Sequence, residues 1–404
     1  HRLVDQKLKG GIPMRNLKRA LSLTLASVML LGMMVVGTGA SYADVTSKHN
    51  QEAIEVMQAV GVMSGDDKGN FNPDQKVTRG EMAVVMANLL NLNVKDFIGA
   101  KTPFTDVPEW AVPYVAACYA DGITAGISAT QYGFNYEVTT AQAALMMMKA
   151  LGYFQYAKDF GSDWQVATVK QGSKINLFDG IAAGASTAMT RNEVAQIALN
   201  TLESTMVESD GNSTDITLPG DISISTGDTK YVDRTTEKYD YTVKAGTTTT
   251  KNTLQLCESL YGSDLVKSST STDATDDFGR PGYTWYYGKN KNDDTKIGTY
   301  GDTANYTYVI DEATTLGELL DDEDLELNPN GTTAANYDGT YYANGDSSAK
   351  ETTIAANEAK DLAVGTEVEL YTNDAGKVDA IVTYTYSLAE ITKISKAASS
   401  EVGG

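Results

Sequence analysis

The sequence predicts a multidomain chain, an all-α bundle of three helix-loop-helix repeats followed by a β-rich C-terminal region. Three observations predict it. One helix-capping phrase is written three times in the first half. Each copy opens a run too apolar to stand alone as a surface helix. From about Met206 the composition turns to Ser, Thr, Asp and Gly, with short alternating stretches.

The phrase is Thr78-Arg79-Gly80-Glu81, returning as Thr190-Arg191-Asn192-Glu193, with a weaker copy, Thr139-Thr140-Ala141-Gln142, between them. A Thr followed three residues later by Glu or Gln is a capping box. The Thr hydroxyl accepts a first-turn N–H, and the side chain of Glu81, Gln142 or Glu193 reaches back to the N-cap amide. One copy means a helix start and nothing more; three in matched surroundings mean a repeat. Gly65, Gly126 and Gly180 precede the caps by 13, 13 and 10 residues, and Gly61, Gly122 and Asn176 stand four residues before those glycines. Gly and Asn best tolerate the left-handed conformation that ends a helix. Twelve residues further upstream His49, Trp110 and Trp164 head the first helices.

The first helix of the first unit places Ala53, Ile54, Met57 and Val60 at helical spacing; Trp110, Tyr114, Val115 and Cys118 follow the same rhythm in the second. Pro113 fits there because it lies in the first turn. The second helices, over Met82–Leu92, Ala143–Leu151 and Val194–Leu202, are almost apolar all round, so each must be buried on most sides, and three of them could bury one another. Met146 to Met148 read as core filler, since thioethers alone would suit only soft copper.

On these motifs Asp44–Leu92, Phe104–Tyr153 and Asp163–Glu203 resemble three consecutive S-layer homology repeats, the wall-anchoring modules of bacterial surface proteins. The first carries Gly69-Asn70-Phe71-Asn72-Pro73-Asp74 and Thr-Arg-x-Glu. The second carries Phe104-Thr105-Asp106-Val107 and Trp110, and the third is shortened. The resemblance covers about 160 of 404 residues. It implies repeats over 44–103, 104–160 and 161–204, joined in a pseudo-threefold bundle with binding grooves between them. It also implies a ligand, a secondary cell-wall polysaccharide bearing ketal-linked pyruvate, held by the arginine of the capping phrase.

The residues support that site on their own terms. An Arg just after an N-cap stands where helix N–H groups and the positive dipole end favour an anion, and its planar fork can clasp a carboxylate. Arg79 and Arg191 occupy that place; the middle copy has Thr140 and lacks the charge. Thr78, Thr190, Gly65 and Gly126 shape the candidate site, and Trp110 and Trp164 offer faces for sugar stacking. On this reading Arg79→Ala weakens wall binding and leaves stability nearly unchanged. The competing reading makes both arginines surface residues paired with Glu81 and Glu193.

Upstream, Met14 opens a signal peptide over 14–43: a basic region with Arg15, Lys18 and Arg19, an apolar stretch from Ala20 to Val36, and Ser41-Tyr42-Ala43 before a cleavage that would leave Asp44 first. The apolar run, 17 residues with no stop-transfer charge, is short for a membrane anchor. Residues 1–13 read as untranslated upstream sequence, Lys9-Gly10-Gly11 being what a ribosome-binding site would encode. A net charge of −21 argues against nucleic acid or an anionic membrane as partner. Cys118 and Cys257 read either as an interdomain disulfide or, better, as two unpaired buried thiols.

Residues 205–227 read as a linker and 228–404 as β-rich surface structure that could assemble with other S-layer subunits. Strands are expected at Tyr239–Val243, Tyr283–Tyr287 and Tyr306–Ile310, a hairpin around Asn373–Gly376, and helical pieces near Leu254–Tyr261 and Thr315–Leu320. Nothing in the chemistry of Ser399–Gly404 marks an end, so a longer natural protein is expected. With His1 and His49 the only histidines, no His-based triad exists beyond residue 49, and no cofactor is expected. The acidic run Asp321–Asp324 suits calcium in its ligands but not in EF-hand spacing, which favours a solvated loop. Two functions remain: a non-catalytic wall-anchored surface protein, which is favoured, and a wall-anchored glycan hydrolase.

Overall fold

The structure, a computed structural model, describes residues 42–218, 222–233, 253–262, 264–269, 274–288, 295–346 and 351–386. The signal peptide but for its last two residues, the segment 1–13 and the strand expected at Tyr239–Val243 lie outside them. The described chain divides into two compact units. One takes in the residues up to Ala274 together with Gly282–Tyr300, the other Thr275–Pro281 and the residues from Gly301. The linker expected over 205–227 and the boundary expected at residue 228 therefore fall inside the first unit.

Among the described residues six α-helices form the N-terminal part: α1 (Gln51–Ala59), α2 (Arg79–Leu89), α3 (Val112–Ala120), α4 (Thr140–Ala150), α5 (Trp164–Lys174) and α6 (Arg191–Glu203). The three capping boxes are formed. The amides of Glu81, Gln142 and Glu193 donate to Thr78, Thr139 and Thr190 Oγ1, and the cap amides donate back to the Glu and Gln side chains. Gly61, Gly122 and Asn176 end the preceding turns at φ of 75°, 71° and 57°, as their residue types led one to expect. α2, α4 and α6 pack their apolar sides into one core with Ile54, Met57, Met86, Met147, Met148 and Leu199. The methionines are core residues.

The residues just before the three caps bind one another in a closed ring. Val77 N–H donates to Met189 O at 3.0 Å, Met189 N–H to Val138 O at 3.0 Å, and Val138 N–H to Val77 O at 2.9 Å. All three side chains are buried. Three chain segments far apart in sequence are thus tied at one point, with each cap beginning its helix there.

The same unit continues through β1 (Val207–Ser209), β2 (Thr214–Leu218), β3 (Ile222–Thr226) and β4 (Thr229–Tyr231), where β1 pairs with β4 and β2 with β3. α7 (Leu256–Tyr261) precedes a three-stranded sheet of β5 (Leu265–Ser268), β6 (Gly282–Tyr287) and β7 (Thr295–Gly301), in that order. This sheet sits on α1. Trp285 Nε1 donates to Glu52 Oε1 at 2.7 Å, Tyr283 OH to Glu52 Oε2 at 2.9 Å, and Tyr300 OH to Glu55. Burial pushes both carboxyls above their ordinary range, against the hydrogen bonds that favour the charged form.

The second unit contains β8 (Tyr306–Val309), β9 (Thr314–Thr315), α8 (Leu316–Asp322), β10 (Pro329–Asn330), β11 (Thr333–Tyr337), β12 (Thr340–Ala343), α9 (Ile354–Glu358), β13 (Asp361–Leu362), β14 (Glu367–Thr372) and β15 (Val378–Tyr384). Its main sheet runs β12-β15-β14-β8. The β14–β15 hairpin around Asn373–Gly376 is present, with β12 added parallel to β15. Val368, Leu370 and Ile381 bury one face. The other carries Tyr371, Val382 and Tyr384.

Candidate functional site

Three seams join the helical segments, each where the start of α2, α4 or α6 meets the loop of another segment. At the first, Arg79 N–H donates to Tyr136 O and Gly80 N–H to Phe134 O. At the second, Arg191 N–H donates to Gln75 O and Asn192 N–H to Pro73 O; at the third, Thr140 and Ala141 donate to Thr187 O and Ala185 O. With the capping boxes formed as well, the first-turn amides that a helix leaves unpaired are all taken. This corrects one expectation: the helix-end dipole remains near the arginines, but its N–H groups are spent within the protein and cannot receive an anion.

The arginine side chains also cross the seams. Arg79, 8% exposed, donates from Nε to Tyr132 O at 3.0 Å and from Nη2 to Ala125 O at 2.7 Å, with its guanidinium 5.0 Å from the Tyr132 ring centre. Arg191, half-buried, repeats this on another segment: Nε to Phe71 O at 2.8 Å, Nη2 to Ser64 O at 2.7 Å, and Phe71 4.6 Å below. Burial lowers the Arg191 pKa, opposed by the charge of nearby Glu81. Neither arginine pairs with the Glu of its own phrase, because Glu81 and Glu193 close the capping boxes. Each fork has its Nε and Nη2 on backbone carbonyls, and Nη1 makes no hydrogen bond or ion pair among the described residues. Thr140, at the third seam, only reaches Thr187 O at 3.3 Å through its hydroxyl.

Each arginine therefore works on the loop of a different segment. The shortened loop of the third segment faces Thr140, while Arg191 meets the full-length loop of the first. Two aspartates to which sequence reasoning gave no role organise the loops that receive the arginines. Asp106 accepts N–H bonds from Tyr132, Gly133 and Phe134 at 2.7, 2.7 and 3.1 Å, and Asp44 accepts them from Phe71 and Asn72 at 2.9 and 2.7 Å. Burial would raise the Asp106 carboxyl, but the three amides hold it below its usual value. Asn72 and Gly133, at φ of 58° and 79°, make the matching turns. The signal was in the sequence: Tyr42-Ala43-Asp44-Val45 is a second writing of Phe104-Thr105-Asp106-Val107.

Gly65 and Gly126 are places of close approach. A Cβ on Gly65 would lie 2.3 Å from the Tyr42 ring, and one on Gly126 2.4 Å from the Phe104 ring. Tyr42 also accepts the Gly65 N–H through its hydroxyl at 2.7 Å. Trp110 stands beside the first seam, 61% exposed, edge-on to Phe134 at 5.9 Å. Trp164 heads α5, half-buried, in the segment whose loop receives Thr140 rather than the one that receives Arg191. The place equivalent to the tryptophans at the second seam is held by His49, which is buried. Thr78 and Thr190 act as caps.

Residues 41–83 and 103–144 match the S-layer homology domain. The helical part thus carries stretches similar to S-layer homology domains. The chain is 30% identical over 138 residues to a surface-layer 125 kDa protein of Lysinibacillus sphaericus, which covers 34% of this chain and 12% of that protein. An S-layer protein of Bacillus thuringiensis subsp. finitimus is 32% identical over 140 residues, 33% of this chain and 16% of its own. A middle cell wall protein of Brevibacillus brevis is 25% identical over 242 residues, 57% and 22%. The chain thus spans well under half the length of these relatives. Their names are those of surface and wall proteins, and the likeness marks the chain as a protein of the bacterial cell surface.

Cys118 and Cys257 are free and buried, and burial pushes both thiols up to about 12. Among the described residues no group of three or more His, Cys, Asp or Glu could hold a metal ion, and no helix is long and apolar enough to cross a membrane. In the second unit Glu367 and Glu369 are each 1% exposed. Glu369 accepts from Arg280 Nε, Tyr371 OH and Tyr384 OH at 3.0–3.1 Å, and Glu367 from Tyr386 OH at 2.6 Å. These carboxylates are occupied inside the protein.

Proposed function

We propose that this protein is held non-covalently on the bacterial cell wall by its helical part, which binds an acidic secondary wall polysaccharide at the seams of Arg79 and Arg191. The three segments 44–103, 104–160 and 161–204 act as one pseudo-threefold module, the third being a diverged repeat without a family match of its own. One observation carries this reading most: at two seams of the same design a guanidinium is fixed by backbone carbonyls and an aromatic ring, with Nη1 left without a partner among the described residues. A fixed fork loses little freedom on binding a carboxylate, and a ketal-linked pyruvate supplies one. Trp110 adds an exposed ring beside the first seam. The β-rich unit serves as structural or assembly surface of the wall layer.

The test is sedimentation of the whole chain with purified cell walls, before and after chemical removal of pyruvate. Trp110→Ala is the informative variant, because an exposed ring can be removed without touching the fold. It should weaken binding about tenfold, equivalent to ~1.4 kcal/mol. Equal binding by depyruvylated walls would remove the ligand from the proposal.

A further inference from the structure

We infer that the first unit carries a second glycan site, for a carboxylate- or phosphate-bearing polysaccharide, in the basic cleft between α5 and β4. The cleft has a volume of about 560 Å3, within the range of ligand sites in general. None of its lining residues belongs to the Arg79 or Arg191 seams, so the inference stands apart from the reading above.

Four lysines line it, Lys158, Lys170, Lys174 and Lys230, against a single carboxylate, Asp159. That is unusual in a chain with 32 basic and 53 acidic residues. Two of the four are neutralised nearby: Lys158 pairs with Asp228, and Lys230 stands 3.9 Å from Glu208. Lys170 and Lys174 are exposed and form no ion pair among the described residues. They lie one turn apart on α5, on the stripe of Ala167, Lys170, Gln171 and Lys174 that faces the cleft. Like charges at that spacing repel, and a bound anion would turn the repulsion into attraction.

Aromatic rings supply the other half of a sugar site. Tyr231 on β4 is 59% exposed at the cleft, and Tyr153 lines it from the turn after α4. Such rings give a pyranose an apolar face to rest on. The ligand class follows: sugar rings for the tyrosines, with an anionic group for the lysine pair.

The test uses the full chain and two defined probes, oligogalacturonate for the carboxylate source and poly(glycerol phosphate) for the phosphate source, with maltodextrin as the neutral control and single-stranded DNA as a non-glycan polyanion. Binding of at least one acidic probe is expected, weakening as salt rises. Which probe binds names the acid group. Lys170→Glu with Lys174→Glu should weaken it by more than about tenfold, and Tyr231→Phe should leave it nearly unchanged while Tyr231→Ala weakens it several-fold. Both sites are exposed, so unchanged circular dichroism is expected. The double lysine variant should keep the pyruvate-dependent part of its binding to cell walls, which separates failure here from failure of the wall site. Binding of neither acidic probe, equal binding of maltodextrin or DNA, or full binding by the double lysine variant would overturn the inference.

Discussion

The two arginine seams and the Thr140 seam share backbone hydrogen bonding but differ in what crosses them. Arg79 and Arg191 each span to a neighbouring loop with two charge-assisted bonds and an aromatic contact. Thr140 offers one hydroxyl to a loop that has lost three residues. The comparison teaches that the residue after the cap is a strut first. Whatever it does for a ligand, it does with the edge the protein has left over. This replaces the sequence-based expectation that Arg79 could be removed without cost to stability.

The largest effect should come from breaking the best strut. Arg79→Ala removes two charge-assisted bonds from a buried side chain and leaves two carbonyls unpaired, which should cost about 3 kcal/mol. Arg191→Ala, at a half-buried site of the same design, should cost about 2 kcal/mol. Urea denaturation with an unchanged m-value measures both, and equal losses at Arg79 and Thr140 would erase the distinction between the seams.

Next come the loops that receive the struts. Asp106→Asn should lower stability by about 1–2 kcal/mol, since a neutral amide replaces a carboxylate serving three amides. The native Asp106 pKa is lowered, so its contribution is full above the unfolded value near 3.9 and is lost as pH falls through the native one. Glu52 and Glu55 have the opposite sign. Their raised native pKa values favour folding below about 4.3, and that gain is lost as pH rises through the native values. Stability should therefore peak in mild acid, and Glu52→Gln should flatten the decline on the neutral side. A decline unaffected by that change would place its origin elsewhere.

A smaller effect concerns Tyr42. A chain starting at Asp44 lacks the ring that packs on Phe71 at 5.4 Å and the hydroxyl that takes the Gly65 amide. It should be about 1 kcal/mol less stable than one starting at Ser41. N-terminal sequencing of the exported protein, for which Asp44 is the sequence-based expectation, shows which form the cell keeps. The smallest effect belongs to Thr140→Ala, about 0.5–1 kcal/mol for a single neutral hydrogen bond.

The helical elements were largely legible, because caps and helix ends are written in side chains: Thr78 with Glu81, Thr139 with Gln142, Gly61, Gly122 and Asn176. The β14–β15 hairpin was legible for the same reason, through Asn373–Gly376. The reach of the arginines was not. Arg79 finds its partners 46 and 53 residues away, and those partners are main-chain carbonyls, which every residue type carries alike. Asp44 and Asp106 hid in the same way behind backbone amides, although the doubled aromatic-x-Asp-Val motif marked the places. The strand at Tyr283–Tyr287 was legible, but its seat on α1 was not, because the need for a partner at Glu52 becomes visible only once Trp285 covers it.

The ring of Val77, Met189 and Val138 bears on how such a module behaves when pulled. Forced unfolding is governed by an unfolding rate rather than by an equilibrium. In a linear stack of repeats a pull can peel one unit at a time from the loaded end. Here each of the three segments is tied to both others, so freeing any one breaks two of the three ties at once. A load entering after α6 meets no separate last repeat to unzip. The module should give way in a single step, and until that step it should hold.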